Sequence, residues 1–382
     1  MPTKSDIQAI ARAAFAKSKH WGLLAMATGT GKSKIGVNEA LDVWVENSEA
    51  NVYLVVPTTK LRDCNWEEEF VKWSNHDIYR CLDRYCYASI SKVKDQVIDL
   101  VIFDESHNIT EANSVFFKNN TIKRALFLTA TPPNPNGSDT DKEKVEILNR
   151  LKVPVSFVYS LDQAVDDGLV AKYIINVVEC NLDSTNKYIK GGTVKKPFMQ
   201  TEKVRYEYLN GLIRKMQFSG NDAVKFKILE RMHFIYKLKS KTEIARRVIA
   251  RWTKPGQRFI GFCGSIEQAE DLYGKQNVYH SKSKDTALTA FMNLELDELG
   301  VVKALNEGIN IQQVDGAFIV QLNSNPKDLV QRIGRTIRFR KGYQAVIWIF
   351  VVMDTVDEKW FKAAIEEFDK ARIVYHHYKN VI

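Results

Sequence analysis

The sequence predicts an α/β chain of two successive halves, each a mainly parallel sheet with helices, the second opening with a basic helical insert. Three observations predict it. Short apolar, β-rich runs alternate with helical patterns along the first half. A glycine-rich row stands between the first of these runs and the first clear helix. A strongly basic stretch then separates the early strands from a second strand-rich set.

The first element is the apolar run Gly22 to Ala25, read as a strand, and Lys34 to Val45 reads as a helix. Between them lies Met26-Ala27-Thr28-Gly29-Thr30-Gly31-Lys32-Ser33. This is the strand–loop–helix setting of a phosphate-binding loop. Glycines let backbone N–H groups turn inward around phosphate oxygens. The helix that follows offers its positive end to the same anion. Lys32 can reach the outer phosphates of a nucleoside triphosphate, and the Ser33 hydroxyl can ligate magnesium.

Val52 to Val56, Leu100 to Phe103 and Ala125 to Leu128 read as buried parallel strands, each ending in polar residues. Asp104-Glu105-Ser106-His107 follows the second of them. A carboxylate there can hold magnesium, and its neighbour can take a proton from water. An isolated Asp-Glu pair would more often cap a helix. The preceding strand and the upstream phosphate loop favour Asp104 as the metal residue and Glu105 as the base. Leu128-Thr129-Ala130-Thr131-Pro132 places hydroxyls at the next strand end, for turn chemistry or for a hydrogen-bonded relay. Thr131 to Ser138 must be a surface loop, and Val155 to Tyr159 can close the first half.

From Lys187 to Lys254 there are 18 Lys and Arg against 5 Asp and Glu, an excess that outweighs the +9 of the whole chain. The remainder is therefore net acidic. The stretch is either a solvated helical face or a phosphate-contacting surface. Val204, Tyr208, Leu212 and Met216 mark one helical face in it, and Ile244, Val248 and Trp252 another. Strands are expected at Phe259–Cys263, 301–304, 318–322 and 346–352, with a helix over 356–369. Gln331-Arg332-Ile333-Gly334-Arg335-Thr336-Ile337-Arg338 lies among them. Arg335 and Arg338 are one turn apart, and their planar charge suits a transferring phosphoryl group. Arginines alone would more often mark a basic surface helix.

The composition, 45% hydrophobic and 26% charged, is that of a globular chain of two ordinary domains. No apolar run reaches membrane-span length, and the first ten residues lack a leader's apolar region, so a cytosolic protein is expected. Cys64, Cys81, Cys86, Cys180 and Cys263 form no C-x-x-C pair and read as reduced, mostly buried thiols.

Taken in order, these rows resemble the motifs of superfamily 2 DNA helicases, in the DEAH-type branch that includes type III restriction motor subunits and phage UvsW-type branch-migration helicases. Met26–Ser33 resembles motif I, which commonly lacks the first glycine. Val55-Val56-Pro57-Thr58 resembles motif Ia, and Tyr87-Ala88-Ser89-Ile90 motif Ib. Asp104–His107 resembles motif II, with Ser106 in the usual Ala position. Thr129-Ala130-Thr131 resembles motif III, and 161–170 the segment closing the first domain. Phe262-Cys263-Gly264-Ser265-Ile266 resembles motif IV. Leu305-Asn306-Glu307-Gly308-Ile309-Asn310 resembles motif V, with Asn310 where the family usually carries Asp. Gln331–Arg338 resembles motif VI, and Gln8 stands about where the family reads adenine.

The resemblance implies two tandem RecA-like domains, residues 1–170 and 171–382, the second including a basic helical insert at about 186–254. It implies ATP and Mg2+ as cofactors. Lys32, Asp104, Glu105, Gln331, Arg335 and Arg338 would carry catalysis. Gln8, Thr28, Gly29, Thr30, Gly31, Lys32, Ser33, Gly308 and Asn310 would bind nucleotide, with Ser33 and Asp104 on the metal. Pro57, Thr58, Tyr87, Ser89, Gly264 and Ser265 would contact nucleic acid. The charge reading adds Lys239, Lys241, Arg246 and Arg247 to that set. The implied activity is ATP-dependent 3′-to-5′ movement on single-stranded, forked or branched DNA, by a monomer without membrane contact. A phage or mobile-element origin would place it in a host cytoplasm. The alternatives are an RNA-dependent ATPase and a non-catalytic binding module on the same fold.

Overall fold

A computed structural model describes residues 1–74, 76–193, 196–302, 311, 313–323, 328–329, 332–334, 343–366 and 368–382. They fall into two compact units, Met1–Lys172 and the greater part of the described residues from Tyr173 onward.

In the first unit the strands are β1 Trp21–Met26, β2 Val52–Val56, β3 Asp83–Cys86, β4 Val97–Ile98, β5 Leu100–Phe103, β6 Thr121–Ile122, β7 Ala125–Thr129 and β8 Val155–Tyr159. Six of them form one sheet in the order β3-β2-β5-β7-β1-β8, parallel throughout. β4 and β6 pair separately. Every residue of β2, β5 and β7 is buried, which is why these strands read as unbroken apolar runs. Because the strands are parallel, the C-terminal ends of β1, β5 and β7 share one edge. The phosphate-loop row, Asp104 and Thr129 therefore arrive together, although the sequence separates them widely. Beneath that edge the Phe103 and Phe127 rings stack at 5.1 Å, 9° from parallel.

The Lys4–Lys17 helix starts at a capping box, Thr3 with Asp6. It docks on the Lys32–Glu46 helix through Arg12, which pairs with the buried Glu39 at 2.7 Å and with Asp42.

The second unit holds β9 Lys172–Cys180, β10 Ile189–Thr193, β11 Lys196–Gln200, β12 Phe259–Cys263, β13 Val278–His280, β14 Glu298–Val302, β15 Gly316–Ile319, β16 Gln344–Val352 and β17 Ile373–His377. Seven form a sheet in the order β13-β14-β12-β15-β16-β9-β17. The run from β13 to β16 is parallel, as is the β9–β17 pair. The α/β fold class and the basic helical insert are as expected.

Several local expectations need correction. The insert begins with an antiparallel hairpin, β10 with β11. Its first helix, Glu202–Phe218, buries Tyr206, Leu209 and Ile213, not the face through Val204 and Tyr208, which are half exposed. Two overlapping apolar rows run along this helix, and packing against the next helix, Val224–Tyr236, accompanies burial of the other one. β14 begins at Glu298, ahead of the expected run, and β15 ends at Ile319. The last helix stops at Ala364. β3, β4, β6, β9, β13 and β17 were not read from the sequence, and the cysteines are not mostly buried, since Cys64 and Cys81 are exposed and Cys86 is partly so.

Candidate active site

The phosphate loop leaves β1 and enters the Lys32–Glu46 helix through Gly31, whose φ of 93° lies in the left-handed region. A side chain there would be strained, and its Cβ would meet Gln8 Nε2 at 2.1 Å. Gln8 is buried and donates from Nε2 to the Thr30 carbonyl at 3.0 Å. It therefore packs against the loop itself. The Thr30 hydroxyl donates to the Ala27 carbonyl at 2.7 Å. Lys32 Nζ donates to the Met26 carbonyl at 2.9 Å, so its charge sits over the loop's entrance. Thr28 and Gly29, the latter with φ 85°, complete the turn, and Ser33 is the second residue of the helix.

Asp104 follows β5 and is buried. Its Oδ1 accepts from the Glu105 N–H at 3.0 Å, and its Oδ2 accepts from the Trp66 indole at 2.9 Å. Burial first, and then the charge of Glu105, push this carboxyl up to about 7, against the pull of Trp66 and Lys32. Trp66 reaches Asp104 beside Gly36, where a Cβ would meet the indole at 2.7 Å. The sequence reading did not find Trp66. It stands 38 residues before its partner, and no local pattern marks a buried indole as a carboxylate's donor.

Glu105 is a non-glycine residue in the left-handed region, φ 48° and ψ 52°, a conformation that costs about 1–3 kcal/mol. Its Oε2 is buried with no hydrogen-bond donor among the described residues. His107 Nδ1 stands 3.5 Å from it, and that nitrogen lies closer to Thr129 Oγ1, at 3.2 Å. Thr129 Oγ1 in turn accepts from the Thr131 N–H at 3.1 Å. The strand ends after β5 and β7 are thus joined through Glu105, His107, Thr129 and Thr131.

The residues resembling nucleic-acid contacts divide. Pro57 and Tyr87 line one cavity of about 420 Å³, with Ala88, Ser91, Asn108, Thr110, Ala112 and Asn113. Tyr87 is itself buried, and its hydroxyl donates to the Asp104 carbonyl at 3.0 Å. Its side chain thus ties this segment to the Asp104 backbone. Thr58 Oγ1 accepts from the Leu61 N–H, and the Ser89 hydroxyl donates to the Cys86 carbonyl.

In the second unit Ser265 caps the Ile266–Tyr273 helix, and the Gly264 N–H is held by Gln268. Ser265 lines a cavity of about 480 Å³ with Lys239 and Arg246. Lys239 is exposed, its ammonium 4.9 Å from the Tyr188 ring. Arg246 pairs with Glu243 and Asp271, and Arg247 with Glu243. Lys241 must be corrected. It is wholly buried and paired with Asp357 at 2.7 Å, so it cannot present its charge to a phosphate. Gln331, Arg335, Arg338, Gly308 and Asn310 lie outside the described residues.

The first unit's residues fit a metal–nucleotide. The loop offers two glycines at positive φ with an ammonium beside them, and a buried carboxylate stands on the same sheet edge. Ser33 and Asp104 are the oxygen donors suited to magnesium.

Comparison with known proteins agrees with this reading. Residues 1–83 match the family described as type III restriction enzyme, res subunit, and residues 240–340 match the helicase conserved C-terminal domain. The ATP-dependent DNA helicase fml1 of Schizosaccharomyces pombe is 25% identical over 233 residues, which cover 58% of this chain and 27% of that protein. The chain thus spans about a quarter of that curated relative's length. Among solved structures, the ATP-dependent type ISP restriction-modification enzyme LlaBIII bound to DNA matches 99% of this chain and 31% of its own, at 15% identity and a TM-score of 0.59. The Pyrococcus furiosus Hef helicase domain matches 93% of this chain and 97% of its own, at 13% identity and a TM-score of 0.53. Dbp5 of S. cerevisiae, bound to RNA and ADP BeF3, matches 98% and 90% at 13% identity and a TM-score of 0.60. The tandem RecA-like fold and the resemblance to superfamily 2 helicases and restriction motor subunits stand on these matches, and they support a helicase-type ATPase.

Proposed function

We propose that this chain, with its superfamily 2 helicase resemblance, is a DNA motor of the DEAH-type branch that couples ATP hydrolysis to movement along one strand. The observation that carries the reading is the meeting of three groups on one sheet edge: the phosphate loop, the buried Asp104, and Glu105 in a left-handed conformation.

Lys32 and the loop's N–H groups would hold the outer phosphates. Ser33 and Asp104 would hold magnesium, which supplies charge neutralisation on the phosphoryl oxygens. Glu105 would orient the attacking water and take its proton; an Oε2 that accepts no hydrogen bond among the described residues supports that role. The joined residues His107, Thr129 and Thr131 would carry the state of the nucleotide away from the site. Arg335 and Arg338 would complete the charge stabilisation. Phosphate contacts would position the strand without reading its bases. DNA is favoured over RNA by the resemblance to restriction and phage motors. Movement 3′ to 5′, strand separation or branch remodelling, and action as a monomer belong to the same proposal, as does a phage or mobile-element origin.

Steady-state ATPase assays with no nucleic acid, single-stranded DNA, forked DNA and single-stranded RNA test it. Stimulation by DNA supports the reading. Stimulation by RNA alone would replace it with an RNA-remodelling ATPase, and none at all with a binding role.

A further inference from the structure

Asn108, the residue after motif II, makes contacts that no motif assigns to it. Its backbone N–H donates to the Glu105 carbonyl at 3.0 Å, and its side-chain Nδ2 donates to the same carbonyl at 3.1 Å. A carbonyl can only accept, so this second bond fixes which end of the Asn108 amide carries the hydrogens. The same Nδ2 faces His107 Nε2 at 3.4 Å. With Nε2 as the acceptor of this contact, the imidazole proton stands on Nδ1. Nδ1 is the nitrogen that faces Thr129 Oγ1 and Glu105 Oε2. Asn108 is itself held, since its carbonyl accepts from Asn113 Nδ2 at 3.3 Å and Asn113 belongs to a capping box with Thr110.

We propose that Asn108 is a positioning residue for ATP hydrolysis: one amide holds Glu105 in its left-handed conformation and sets the His107 tautomer that faces it. The proposal rests on the assignment of Glu105 as the base. It predicts that loss of the amide lowers turnover without weakening nucleotide capture, because no Asn108 contact reaches the phosphate loop among those described.

Two measurements test it on the full chain. In the first, Asn108→Leu, close in volume and without donors, and Asn108→Ala are compared with wild type for kcat, KM for ATP and melting temperature. The expected result is a fall in kcat of about 10- to 100-fold in both, with KM within about twofold and melting little changed. Wild-type kcat in Asn108→Leu would overturn the proposal, as would kcat, KM and melting all shifting together. The second needs no ATPase activity: histidine-selective 15N spectra of wild type and Asn108→Leu. The Nδ1–H tautomer at His107, lost or mixed in the variant, is expected. A wild-type Nε2–H tautomer would overturn the proposal whatever the enzyme's activity. A chain with the expected tautomer but no ATPase would instead overturn the motor reading and, with it, the hydrolytic role of Asn108.

Discussion

Asp104 carries two demands that pull its protonation in opposite directions. Burial and the neighbouring Glu105 raise its carboxyl to about 7, so in the ligand-free protein it gives up its proton only near neutrality. Magnesium would bind the carboxylate, so metal and proton would compete. For an acid with a raised value the charged form is lost as pH falls through 7. Affinity for Mg·ATP should therefore weaken below pH 7, by up to about tenfold per unit, while metal-free ATP lacks this dependence. Calorimetric titrations at pH 6, 7 and 8 check this; equal Mg·ATP affinity across the range would contradict the Asp104 assignment. Much of this residue-scale picture was legible. Gly31, Lys32 and Asp104 sit in local patterns whose spacing mirrors their chemistry. Trp66 and Asn108 were not legible, because their roles depend on which atom faces which across a fold.

At the scale of elements, the Lys239–Trp252 helix shows what charge counting can and cannot see. Lys239, Lys241, Arg246 and Arg247 look equivalent in sequence. In the fold Lys241 turns inward to Asp357, whose Oδ2 also accepts from the Val352 N–H at 3.0 Å. Removing one partner leaves the other charge buried. Lys241→Ala should therefore destabilise the protein by about 3–5 kcal/mol, whereas Lys239→Ala should cost little. Thermal unfolding of the two variants checks this, and equal melting temperatures would count against the buried pair. The two arginines rest in exposed pairs, which are weak and can be exchanged for phosphate. Reversing the charge at Lys239, Arg246 and Arg247, with Lys241 left intact, should weaken DNA binding. The salt dependence should flatten by about 0.9 per lost phosphate contact. An unchanged salt slope would leave the insert as a structural bridge. The helix's partner lies more than a hundred residues downstream, which is why composition could not separate Lys241 from its neighbours. The same limit explains the hairpin β10–β11, whose short rows with Gly191, Gly192 and Pro197 resemble loop until they pair with each other.

Across the whole molecule, parallel topology turns separate sequence rows into one site. β1, β5 and β7 run the same way, so their C-terminal ends bring together residues about a hundred positions apart. That order was readable because a parallel strand buried on both faces leaves a distinctive apolar run. The candidate residues of the site were readable because phosphate loops and strand-end carboxylates need particular residues at particular spacings. Element edges and face choice were not, since they depend on packing partners. Among the described residues no helix is long and apolar enough to cross a membrane. The Glu105→Gln variant tests the central claim most directly. Its ATP hydrolysis, measured with and without DNA, should fall by about 100-fold or more, and its ATP binding should be retained. Hydrolysis at the wild-type rate would contradict the assignment of this sheet edge as the site of the reaction.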